Sequence, residues 1–302
     1  MPVKAFFEWT AWEMERPKSF GPWHLVFLLV GIPLVITVAF LIRKMSDKKS
    51  RIMLLCISIF LMLFELYKQL FYYFVMNGEN YPLWIIPFQL CSVPMYLCFM
   101  VSIIRNRKFN HWLYEFMFAF NLFGGFISFM EPSGLNHPYV TLTLHAYLWH
   151  LMLIFLGFYF YFSKRAGRSW KGFFKGIAVL GIVVAIAQII NIVAQGAGGC
   201  NMFYISPYVA SPLFFFKEFY LQNGWLACMC LYLFGLILAC ALIYFAAFLC
   251  RCMNIKKRKS ALKQKNNSLE KNKEKAGLGE SAVDNEELVA DNEEVQTADN
   301  TN

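Results

Sequence analysis

Two kinds of side chain in this 302-residue sequence could do covalent chemistry together: a thiol and an imidazole. Cys91 lies between Pro87 and Pro94 in PLWIIPFQLCSVPMYLCFM, and His145 and His150 lie in HAYLWHLMLIFLGFYF. A thiol becomes a good nucleophile when a neighbouring imidazole takes its proton, and a third polar group can orient the imidazole. Cys91 with His150, and Glu65 or Gln89 within reach, could make such a set. In an apolar cavity the natural electrophile is an acyl ester or thioester, so the chemistry would be acyl transfer. A plainer reading makes Cys91 a small buried hydrophobe among nine cysteines. The histidines are five residues apart, about 140° around an ideal helix, so they cannot share one metal ion. HExxH is absent. No metal and no cofactor is expected.

A second set of polar residues falls inside apolar runs. Glu65 and Lys68, three residues apart, share a helix face. They either neutralise each other in a bundle interior or form a site for a polar head group or a proton. Gln89, Asn121, Gln188 and Asn191 lie at similar depth. Polar groups from five spans, all in the middle or outer half of the membrane, imply a cavity that opens outward.

The elements that must position these residues are set by composition. Hydrophobic residues make up 58% of the chain and charged residues 16%, which is too few charges to cover a water-soluble surface. Seven apolar runs are near the ~20 residues needed to cross a bilayer. They are 23–42, 52–76, 82–104, 112–130, 139–162, 173–195 and 225–250. The fold class expected is all-α, a polytopic membrane bundle of seven transmembrane helices, because lipid offers backbone groups no partner outside a helix. The loops after spans one, three, five and seven carry 18 Lys and Arg; the opposite side carries only Lys4, Arg16, Lys18 and Lys217. That asymmetry puts the N-terminus outside and the C-terminus in the cytoplasm. The basic charge therefore belongs to topology and not to nucleic acid, and membrane lipids are the expected partners.

Three further segments complete the organisation. Residues 1–22, with the aromatic run FFEWTAW, form an external interfacial segment; Glu8, Glu13 and Glu15 argue against a cleavable signal. Span six opens on Gly172 and Gly176, a GxxxG spacing that permits close helix packing. Residues 203–216, interrupted by Pro207 and Pro212, are too short to cross and read as re-entrant or interfacial. Residues 23–252 thus form the membrane domain. Residues 253–302 form a charged cytoplasmic tail expected to be disordered, with a frayed helix near 260–275.

The segments FELYKQLFYY (64–73), IPFQLCSVPMYL (86–97), FGGFISFMEPSG (123–134), HAYLWHLMLIFLGFYF (145–160) and GCNMFYISPY (199–208) resemble the bacterial YwaF-type membrane proteins and the related transmembrane protein 164 of animals. The resemblance covers spans two to six. It implies a lipid acyltransferase or acyl hydrolase with Cys91 as nucleophile and His150, or less closely His145, as base. The sequence departs from the bacterial members at NGWLACMC and in its charged tail. Two other classes compete. A transporter or small-solute binding protein would use Glu65, Lys68 and the kinked third span; a non-catalytic scaffold or sensor would keep the polar core for structure. The membrane expected is the cell membrane, or an intracellular one in a eukaryote.

Overall fold

Long apolar runs become helices when each peptide group must find its partner within its own segment. The computed structural model describes residues 2–211 and 214–275, and within them the chain is helical with no strand. In chain order the α-helices are α1 (Pro2–Trp9), α2 (Pro22–Val26), α3 (Ile32–Leu41), α4 (Asp47–Phe71), α5 (Val93–Ile103), α6 (Arg107–Met130), α7 (Val140–Phe162), α8 (Trp170–Val193) and α9 (Phe214–Lys275). A π-helical turn joins α2 to α3, and another, Tyr72–Met76, extends α4.

Among the described residues, six helical stretches are long and apolar enough to cross a membrane: Pro22–Leu41, Asp47–Met76, Arg107–Met130, Val140–Phe162, Trp170–Ala197 and Phe215–Met253. Three begin on side-chain caps beside the basic loops. Ser46 accepts from Lys49 N, Asn106 from Phe109 N and Ser169 from Gly172 N, each satisfying one orphan donor of a first turn.

The expected third span is not one helix. Its first half is a 3-10 turn, Leu83–Ile85, followed by irregular chain to Ser92; only α5, of 11 residues, is α-helical. That helix rises about 16 Å, roughly half a bilayer. Pro94 does not kink it. It sits in the first turn, where a missing N–H costs nothing. Pro87 lies in the irregular stretch, where its carbonyl accepts from Tyr96 Oη at 3.0 Å. Cys91 lies on the turn preceding α5, so it is not on that helix with Met95 and Cys98.

The core sits between α6 and α7, with α3 on α7, α8 on α6 and α5 on α4. Glycines let α6 and α7 approach closely. A Cβ on Gly125 would meet Ile154 Cγ1 at 2.5 Å, and one on Gly157 would meet Leu122 Cγ at 2.5 Å. At the start, α1 buries Phe7 against Tyr67 and Phe74. Residues 12–14 are then zipped to 138–140 through Met14 N to Pro138 O (3.0 Å) and Val140 N to Trp12 O (2.9 Å). The short stretch expected to be re-entrant begins in a 3-10 turn, Met202–Tyr204, and continues as irregular chain to Ser211; its last residues open the first part of α9, which breaks at Gly224 (φ 81°) before the span.

The chain forms two compact units, divided between Ile243 and Tyr244. Within the second unit, the part of the expected tail up to Lys275 is helical; residues 276–302 lie outside the described residues.

Candidate functional site

Cys91 is half-buried on the turn that starts α5, beside a cluster formed by Leu61, Met95, Trp149 and Leu153. Its carbonyl accepts from Trp149 Nε1 at 2.9 Å, which ties the nucleophile's peptide to α7. His150 is the next residue on that helix, and its Nδ1 lies 2.7 Å from Ala146 O. A carbonyl can only accept, so Nδ1 carries the proton and Nε2 keeps its lone pair. That is the tautomer a general base needs. No hydrogen bond joins the Cys91 thiol to either histidine among the described residues.

His145 is placed differently. It is buried and stacked between Phe64 (4.5 Å between ring centres) and Trp149 (5.4 Å), and its Nε2 is buried with no hydrogen-bond partner. Its ring packs against the wall that holds Trp149.

Glu65 and Lys68 are a pair, as their spacing implied. Lys68 Nζ lies 2.8 Å from Glu65 Oε1, with the carboxylate buried and the ammonium partly open. Gln69 Nε2 donates to the same oxygen at 2.5 Å and to Ile85 O at 2.6 Å, and Tyr81 Oη donates to Gln69 Oε1 at 2.5 Å. Glu65 Oε2 is buried and accepts no hydrogen bond among the described residues. The Lys68 charge reaches Cys91, His145 and His150.

Gln89, Asn191 and Gln188 do other work. Gln89 Nε2 donates to Asn201 O (2.9 Å), and its Oε1 accepts from Phe203 N (2.9 Å). Asn191 Oδ1 accepts from Met202 N (2.6 Å), its Nδ2 donates to Met202 O (3.1 Å), and Gln188 Oε1 stands 3.5 Å from that Nδ2. Asn201 completes the clasp by donating to Val209 O and accepting from Ser206 N. Irregular backbone at membrane depth must be satisfied by protein, and these amides do that for residues 201–209. The Gln89 and Asn191 amides thus hold this loop, with Gln188 beside Asn191. Asn121 is buried on α6 with its Nδ2 unpartnered, one turn from Gly125, which lies against the His150 carbonyl.

The clasped loop holds two consecutive left-handed residues, Phe203 (φ 56°) and Tyr204 (φ 58°). Bulky side chains rarely adopt that conformation, at a cost on the order of 1–3 kcal/mol each. The strain is maintained by the Gln89 and Asn191 bonds. It places Tyr204 within electrostatic reach of Cys91 and edge-on to Tyr232 at 6.1 Å.

Sequence reasoning passed over Trp149, Gln69, Tyr81 and Asn201. Gln69 was legible, being one turn from Glu65 on the same face. The rest depend on contacts between distant segments.

The model of the TMEM164 family matches residues 19–263. No curated protein and no solved structure matches the chain.

Proposed function

The chain belongs to the TMEM164 family, and from that premise we propose that this multi-pass membrane protein transfers acyl groups between lipids through a thioester on Cys91. The observation that carries the reading is the pairing of Trp149 and His150. The first binds the Cys91 peptide, and the second presents a free Nε2 from the next position on α7.

In the proposed sequence His150 Nε2 takes the Cys91 proton, and the sulfur attacks the carbonyl carbon of a lipid ester. The carbon–oxygen bond breaks, the leaving oxygen takes the proton from the imidazolium, and a lysolipid departs. An acceptor hydroxyl then gives its proton to Nε2, attacks the thioester carbon and releases the thiolate, which is reprotonated. Water as acceptor makes the same site a hydrolase. Lys68 supports the thiolate by its charge, and Glu65, held by Gln69, keeps Lys68 in place. A polar-solute site is the second reading; the bare, buried Oε2 of Glu65 beside Lys68 favours it.

We further propose seven crossings with the N-terminus outside, residues 82–104 crossing as an irregular outer half followed by α5. The loop charge asymmetry supports this, as does the need for protein partners around the irregular half.

Incubating the membrane-embedded protein with a radiolabelled phospholipid acyl donor should place a hydroxylamine-labile label on Cys91. Cys91→Ser should abolish the label while preserving the unfolding temperature. His150→Ala should reduce its rate by two to four orders of magnitude, and His145→Ala by far less. Labelling that persists in Cys91→Ser overturns the proposal and leaves the solute-site reading as the better account.

A further inference from the structure

At the end of the bundle where α4 finishes and α7 begins lies a cavity of about 540 Å³, walled by Arg16, Tyr72, Met76, Trp84, His137 and Pro138. Its floor is built from segments distant in sequence. Arg16 Nε donates to Asn136 O at 2.9 Å, and Asn136 Oδ1 accepts from Tyr147 Oη at 2.9 Å. The Thr143 hydroxyl accepts from His137 N and donates to His137 O, which locks that peptide. With the zipper between residues 12–14 and 138–140, the loop carrying His137 is fixed before any ligand arrives.

The single contact of Arg16 uses Nε alone. Its two terminal nitrogens make no hydrogen bond to protein, and no carboxylate pairs with it among the described residues. The charges acting on His137 are Arg16 and Lys68, and the charge acting on Tyr72 is Arg16. Lys68 is already paired with Glu65, so among the described residues Arg16 is the cation left over at this site. A guanidinium with a free fork is the group best suited to bidentate recognition of phosphate. The opposite wall is apolar and aromatic: Met76, with Tyr72 edge-on to Trp84 at 5.2 Å. Trp84 is largely exposed, as aromatic residues at a membrane surface are.

We infer that this cavity is a binding site for a phosphate anion carrying an apolar substituent, with the Arg16 fork on the phosphate and the Trp84–Tyr72 wall on the substituent. The inference does not depend on thioester chemistry at Cys91. The same ligand chemistry is offered by a lipid head group at the membrane surface and by a soluble phosphoester.

The test measures binding to the full-length protein in neutral detergent with three probes: dioctanoyl phosphatidylglycerol, phenyl phosphate and inorganic phosphate. Saturable binding of phosphatidylglycerol that weakens about tenfold in Arg16→Gln is the result expected of a lipid head-group site. Equal or tighter binding of phenyl phosphate, with the same loss in Arg16→Gln, identifies a soluble phosphoester instead. Trp84→Leu leaves the Arg16–Asn136 bond in place and guards against a folding defect. It should weaken either amphiphile several-fold and leave inorganic phosphate unchanged. No saturable binding of any probe overturns the inference, as does binding that neither variant alters. Cys91 acylation measured on the same samples separates the two proposals. A protein that binds phosphatidylglycerol through Arg16 but never acylates loses the enzyme and keeps this site; one that acylates normally without Arg16-dependent binding does the reverse.

Discussion

Two buried carboxylates, Glu65 on α4 and Glu115 on α6, show how differently the two sides of the bundle use the same group. Removing a carboxylate from water costs several kcal/mol unless partners compensate. Around Glu115 the compensation is a cage. Oε2 accepts from Gly167 N at 2.8 Å, Oε1 lies 3.4 Å from His111 Nε2, and the first turn of α8 closes over it. A Cβ on Gly172 would stand 2.1 Å from Glu115 Oε1, and one on Gly176 would stand 3.4 Å from the Glu115 backbone. The GxxxG spacing therefore seats α8 on a carboxylate at a helix N-terminus, where the dipole also favours negative charge. Around Glu65 the compensation is an ammonium and an amide, Lys68 and Gln69, both on Oε1 and both from its own helix. The first carboxylate holds helices together. The second is paired with a partly open ammonium, which suits a site and not a pin.

The largest effect that tests this contrast is on stability. Glu115→Ala should destabilise by roughly 3–5 kcal/mol, because it opens a cavity and leaves the Gly167 N–H unsatisfied. Gly172→Ala should cost about 1–3 kcal/mol through overpacking of a fully buried neighbour. Thermal unfolding in detergent checks both. Values near zero would mean that the α6–α8 contact is looser than drawn, and the contrast would collapse.

A smaller effect is expected at the other carboxylate. Lys68→Met strands a buried charge and should cost about 2–3 kcal/mol, somewhat under the range for a fully buried pair because the ammonium is partly open. Adding Glu65→Gln should recover most of that loss. Recovery of fold without recovery of acyl labelling would assign the pair to the site. If the single variant matches the parent, Glu65 is solvated and the cavity is misread.

The smallest expected effect uses His137, outside the spans, as a reporter of Lys68 and Arg16. Burial, and then the charges of Arg16 and Lys68, hold its pKa down at about 4 from an ordinary 6.5. Below pH 6.5 the unfolded chain gains a proton on this ring that the folded chain refuses until about pH 4. Its contribution to stability is therefore full above 6.5 and is lost as the pH falls toward 4, amounting to about 1–2 kcal/mol for a half-buried ring. The difference in unfolding free energy between parent and His137→Gln, measured across that window, should show this slope. Lys68→Met should flatten it. A slope unchanged by Lys68→Met would place the ammonium too far away to govern the site.

Some of this architecture could be read from residue order alone. Apolar runs of bilayer length, caps such as Ser46, Asn106 and Ser169, and the 18-to-4 loop charge asymmetry are local properties, and six of the seven expected runs form long helices. The Glu65–Lys68 pair was legible for the same reason, since helix periodicity fixes which side chains meet within a turn. Helical periodicity misled where the chain is not helical. Reading 82–104 as one continuous helix put Cys91 inside it, whereas Pro94 starts α5 and Cys91 precedes it. The roles of Gln89 and Asn191 were invisible for a deeper reason. A polar side chain at membrane depth satisfies either a ligand or stray backbone, and only the fold reveals which. Gln89 finds Asn201 and Phe203 across 112 and 114 residues, and no local rule connects positions so far apart. The sequence by itself determined a membrane bundle with a thiol, two imidazoles and an ion pair at similar depth. Tertiary structure decided that Trp149 binds the thiol's peptide and that Glu115 is held by Gly167 and covered by the α8 glycines, because each of those facts is a contact between segments that only packing brings together.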